Sequence, residues 1–296
     1  MRMNPVYKRE TMVSARSFRL ALILLVFNGI LALVALLNMY STLAQVRLTA
    51  EIQYTSFMDL YLFVAILEFV MLLFIMPAIT AGSISGERER QTLELMLTTQ
   101  MTPTQIVLGK LAASFSTVFL MIISSFPIIA MVFVYGGVTM KDLAILLLCF
   151  VVSALFAGSL GTCCSALFRK STVATAVTYG LMGVIVFGTF GINRFVLYLR
   201  NIQTDHFLST LGKASEYINS GNFLYLLLVN PATTFFAAML QLAGGGRTMS
   251  RAAYWFGDHR TGFMPENWIE ISIVTQLLLA VLFIILAMRA VSAGKK

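Results

Sequence analysis

An all-α polytopic membrane protein with six transmembrane helices is expected, on three grounds. Of the 296 residues, 58% are hydrophobic and 11% charged, against roughly 45–50% and about 25% in a soluble domain. The apolar residues gather into runs roughly 20 long, enough for a helix to cross a ~30 Å hydrocarbon layer. Third, the Lys and Arg of the short loops fall almost wholly on one side of those runs, as membrane topology requires. The net charge of +8 therefore reads as topology, and no nucleic-acid partner is implied.

The stretch from Asn4 to Arg19 is too polar for the apolar core of a signal peptide and has no small-residue cleavage site, so it is expected to stay attached. Asn4-Pro5 suits the N-cap and first turn of a helix. At 100° per residue Lys8, Arg9, Arg16 and Arg19 share about a third of the circumference, away from Tyr7, Ala15 and Phe18. The result is an amino-terminal interfacial helix within residues 1–19. Its basic heads face anionic membrane lipid or an acidic partner, or form a solvated flank that sets orientation.

The six spans read as Phe18–Tyr40, Phe57–Ala81, Thr104–Tyr135, Leu143–Phe168, Thr172–Leu197 and Trp268–Val291. Asn222–Ala243 is also apolar, but Asn230-Pro231 breaks it at the middle and Gly244-Gly245-Gly246 follows. That suits a re-entrant or interfacial hairpin before span six, within an extracytoplasmic loop over 198–267; as a full crossing it would be a seventh. With the amino terminus in the cytoplasm, thirteen Lys and Arg lie inside and only Arg47 and Lys141 in the short outer loops. Both termini of this multi-pass cell-membrane protein are therefore expected in the cytoplasm, with residues 1–296 forming one transmembrane domain.

Within the spans, Glu68 lies near the middle of span two, where a carboxyl costs several kcal/mol unless paired, protonated or facing a wet cavity. It is expected to face protein, lining a translocation path or a dimer seam, or to be a protonated or hydrogen-bonded structural residue. Ser153, Ala157, Gly161 and Ser165 recur every fourth residue in span four and give a small-residue packing face. Pro77 and Pro127 can loosen spans two and three. Cys149, Cys163 and Cys164 share one apolar run with no CxxC pair, which supports packing over a disulfide or zinc site. His206 and His259 fall in the outer loop, with no motif for metal or hydrolytic chemistry.

The loop over residues 82–103 carries the most information. Ser85 or Gly86 can cap a helix start, Glu87 and Glu89 sit in the first turn where the dipole favours anions, and Leu93, Met96 and Leu97 form an apolar patch at i, i+3, i+4. One short amphipathic helix over Glu87–Thr98 is expected. Thr102-Pro103-Thr104-Gln105 then has capping-box spacing with Pro at the first helical position, so a new helix starts there. A capped, charged helix where four loop residues would do suggests a surface on which something docks, the alternative being a mere interfacial anchor.

From Ala81 to Lys110 the string holds a Gly-x-Ile-x-x-Glu-x-Glu core, Thr92-Leu93-Glu94, Leu97-Thr98-Thr99 and Ile106-Val107-Leu108-Gly109-Lys110. It resembles the permease subunits of type-2 ABC transporters of the exporter class, as do the Asn4-Pro5 start and the six-span plan. Gln91 stands where that family usually has Gly, and Gln100 where Pro is common. The resemblance implies a homodimer or heterodimer with a second permease subunit. It also implies a cytoplasmic coupling helix after span two and separate cytoplasmic ABC ATPase subunits that hold ATP and Mg. Contact with that ATPase then falls to Glu87, Arg88, Glu89, Arg90 and Glu94 with Lys8 and Arg9, while Leu93, Met96 and Leu97 seat the helix. No cofactor is expected on this chain, since Gly109-Lys110 is followed by Leu111 and makes no phosphate loop. The alternatives are a secondary transporter or channel coupled to ions or protons through Glu68, and a membrane scaffold that does not transport.

Overall fold

The structure, a computed structural model, describes residues 4–49, 54–98, 101–134, 140–211, 220–242 and 267–293. Among them, six helices are long and apolar enough to cross a membrane, or seven if one bent pair counts as a span. The chain divides into two compact units, Met1–Tyr179 with Leu279–Lys296, and Gly180–Leu278.

In the first unit α1 (Pro5–Ala15) starts as its sequence dictates. The Asn4 side chain accepts the Val6 N–H at 3.0 Å and Pro5 fills the first turn. It stops at Arg16, and after Ser17 the chain re-enters a helix, α2 (Phe18–Thr49). Arg19 thus belongs to the first span and not to the interfacial helix. After α3 (Tyr54–Thr80) the expected single helix is two, α4 (Ser85–Glu89) and α5 (Thr92–Thr98), parted at Gln91 with φ of 59°. That left-handed backbone cannot continue a right-handed helix, and it is the conformation glycine adopts most cheaply.

Helix α6 (Pro103–Val134) opens on the expected capping box: Thr102 N–H donates to Gln105 Oε1 at 3.1 Å and Gln105 N–H to Thr102 Oγ1 at 3.3 Å. Helix α7 (Met140–Leu167) is the most enclosed, packing on both α3 and α6. Its small residues explain the close approach. Ser153, Ala157, Gly161 and Ser165 are all buried, and a Cβ added at Gly161 would lie 2.1 Å from Thr80 Oγ1. One added at Gly158 would lie 2.2 Å from Met76. The small face therefore packs against α3 of its own chain. Next to Pro77, where the helical ladder of α3 is interrupted, the Phe74 carbonyl accepts the Tyr179 hydroxyl at 2.7 Å.

Span five begins as α8 (Ser171–Gly183), swells into a π-helical turn over Val184–Gly188 and continues as α9 (Thr189–Leu211), past its expected end at Leu197. In the second unit the apolar stretch before the last span is broken as its Asn-Pro pair predicts. A 3-10 helix over Gly221–Val229 meets α10 (Pro231–Leu242) at a bend of 99°. Leu224, Leu227 and Leu228 pack there with Trp268, the first residue of α11 (Trp268–Ala293). Gln276 Nε2 donates to Thr234 Oγ1 at 2.8 Å, tying α11 to α10. Gly244, Gly245, Gly246 and His259 lie outside the described residues, as do the side chains of Arg47, Leu97 and His206.

Candidate functional site

At one end of the first unit α1, α4 and α5 lie across the start of α6. Lys110, on the buried face of α6 with Ile106 and Val107, is only 5% exposed. A buried ammonium needs anions, and two reach it: Glu10 of α1 at 3.1 Å and Glu87 of α4 at 3.0 Å. The second oxygen of Glu87 accepts the Thr92 hydroxyl of α5. One lysine thereby clasps α1, α4 and α6, and Glu87 extends the clasp to α5. Because the two carboxylates keep a fifth to a third of their exposure, losing the lysine costs on the order of 2–3 kcal/mol, below the ~3–5 of a fully enclosed pair.

The next two residues grip other helices. Arg88 donates through Nη2 to the Ala166 carbonyl at 3.1 Å and through Nη1 to Phe168 at 3.4 Å, satisfying carbonyls left open where α7 ends. Glu89 accepts the Ser171 N–H and hydroxyl, both at 2.8 Å, and so caps α8 from a distance. Three consecutive residues thus hold α6, α7 and α8. The reverse contact comes from Ser165, whose Oγ accepts the N–H groups of Ile84 and Ser85 at 2.9 and 3.0 Å. It supplies the start of α4 with the cap that Ser85 and Gly86 were expected to provide from within.

The apolar seat lies beneath. Leu93 is buried with Val6, Ile84, Ile106, Val107, Cys163 and Val291, and Met96 packs against this group. Val6 presses onto Gly109, where an added Cβ would come within 2.8 Å. Asn4 Nδ2 donates to the Gln105 carbonyl at 2.7 Å, and the Tyr7 hydroxyl meets Ser116 at 3.1 Å. Outward lie Glu89, Arg90, Glu94 and Leu95 on the α4–α5 elbow, Leu95 being 66% exposed, and Lys8 and Arg9 on α1.

Of the charged residues singled out from the sequence, Glu87 and Arg88 turn partly inward, Glu89 reaches Ser171 along the surface, and Arg90, Glu94, Lys8 and Arg9 stay exposed. The pairing of Lys110 with Glu10 and Glu87 was not read from the sequence, although a lysine three and four residues after Val107 and Ile106 signals a buried cation in need of a partner. Glu68 is enclosed by its own chain: it is 0% exposed, and its Oε1 accepts the Ser125 hydroxyl of α6 at 2.5 Å. Nearby on α6, Ser124 accepts from Asn28 of α2 at 2.9 Å. Cys149, Cys163 and Cys164 are buried free thiols.

Among the described residues no group of three or more His, Cys, Asp and Glu is placed to hold a metal ion. A family model described as ABC-2 family transporter protein matches residues 33–291. Comparison with curated proteins finds no match.

Proposed function

As the chain belongs to the ABC-2 family of transporter proteins, we propose that it is the transmembrane permease subunit of an ATP-driven exporter. It works as a dimer, homomeric or heteromeric, and takes its energy from separate cytoplasmic ATPase subunits that hold ATP and Mg. The end bearing α1, α4 and α5 faces the cytoplasm, with both termini.

The observation that supports this reading is the pairing of an outward charged elbow with a triple grip on α6, α7 and α8. Arg90, Glu94 and Leu95, flanked by Lys8 and Arg9, offer the docking face. A displacement of that face is carried by Glu87 to α6, by Arg88 to the end of α7 and by Glu89 to the start of α8. Because Lys110 fastens α1 to the same elbow, α1, α4 and α5 move as one lever. Glu68 enters as an interior brace between α3 and α6.

The test is co-purification of the partner ATPase with a chain carrying Arg90→Glu and Glu94→Lys. Loss of the ATPase from a variant that still inserts and keeps its thermal stability supports the reading. An undiminished complex with wild-type transport contradicts it.

A further inference from the structure

The second unit contains a cavity of about 210 Å³ where the π-helical turn of span five meets the bend of the hairpin. Val186, Phe187, Phe190, Leu227 and Phe236 supply its apolar wall, and Asn230 and Thr233 are the polar residues that border it. The donors of both are already committed. Asn230 Nδ2 gives its two protons to the Val186 carbonyl and to Thr189 Oγ1, each at 2.9 Å, and its Oδ1 accepts the Ala232 N–H at 2.9 Å. The Thr233 hydroxyl donates to the Leu227 carbonyl at 2.6 Å. A polar ligand would find no free donor here, whereas a dry apolar cavity of about 150 Å³ already takes up benzene.

The same hydrogen bonds account for the cavity. Asn230 engages the Val186 carbonyl inside the turn where the helix widens to the π form, and Pro231 forces the bend that draws Asn230 into place. The cavity sits at the middle of Ser171–Ile202, a stretch long and apolar enough to span the membrane. Phe187 of its wall is 77% exposed, so the cavity reaches the surface of the chain at hydrocarbon depth.

We propose that this cavity binds the end of a membrane-lipid acyl chain. The occupant is hydrocarbon because no donor is free to hold anything polar, and lipid because at that depth the surrounding solvent is itself acyl chain. The inference stands apart from the ATPase reading, and neither depends on the other.

Native mass spectrometry of the full chain in detergent, with added dioleoylphosphatidylcholine, tests it. Wild type is expected to retain one phosphatidylcholine that Ala232→Phe, which puts a ring into the cavity that Ala232 also lines, loses by about fivefold or more at unchanged helicity by circular dichroism. Phe236→Ala enlarges the same space and serves if the filled variant fails to fold. It is expected to accept the branched diphytanoylphosphatidylcholine that wild type discriminates against, narrowing that preference about threefold. Equal lipid retention in a folded Ala232→Phe, or an unchanged chain preference in Phe236→Ala, overturns the proposal. Loss of the dimer in Ala232→Phe with lipid retention unaltered also overturns it, and would assign the cavity to a second copy.

Discussion

Lys110 and Glu87, 23 residues apart, meet at 3.0 Å beneath the elbow, and Glu10 closes on the same ammonium from α1 at 3.1 Å. Lys110→Ala strands two carboxylates against an apolar seat. It is expected to lower stability by about 2–3 kcal/mol. The triple variant Lys110→Met, Glu10→Gln, Glu87→Gln removes the charges together and is expected to recover most of that loss, since a buried ion pair is replaceable by neutral groups of similar shape. Thermal unfolding in detergent reads both. A triple variant no better than the single one would show that the charges are not coupled.

Gln91 holds a backbone angle that costs an L-residue roughly 1 kcal/mol. Gln91→Gly is expected to stabilise the protein by about 0.5–1 kcal/mol, and Gln91→Val to destabilise it by more. Opposite shifts in melting temperature would confirm the strain, and equal shifts would remove it from consideration.

Gly161 has no room for a methyl group, because Thr80 Oγ1 would be 2.1 Å away and Thr80 Cβ 3.1 Å. Gly161→Ala is expected to cost about 1–3 kcal/mol by overpacking. Adding Thr80→Ala should return part of it and no more, since the Cβ contact persists. A double-mutant cycle with no coupling would mean that α3 and α7 are not packed at this point.

Ser165→Ala leaves the buried N–H groups of Ile84 and Ser85 without the oxygen that accepts them. The expected loss is about 1–3 kcal/mol, accompanied by faster amide hydrogen exchange confined to α4. Uniform exchange along α3 and α4 would place the cap elsewhere.

Much of this was legible in the sequence because it is local. The Asn4 cap, the Thr102–Gln105 box and the Asn230-Pro231 break are each decided by residues within a few positions of one another. The small face of α7 was legible too, but not its neighbour, since spacing shows that a helix can approach and not which one does. Glu87, Arg88 and Glu89 look like a solvated charge run, and only the end of α7 and the start of α8, about 80 residues away, give Arg88 and Glu89 their partners. The split at Gln91 was hidden because its side chain favours helix, and the tertiary grip on both flanks overrides that preference.

The most direct test is a photo-crosslinking residue placed at Leu95, outward on the elbow, with Val281 on the exposed flank of α11 as control. Irradiation of intact cells should join the chain through position 95, and not 281, to a polypeptide carrying a Gly-x-x-x-x-Gly-Lys-Ser/Thr loop, identified by its peptides. An inserted, stable chain that yields no such adduct from position 95 would contradict the lever.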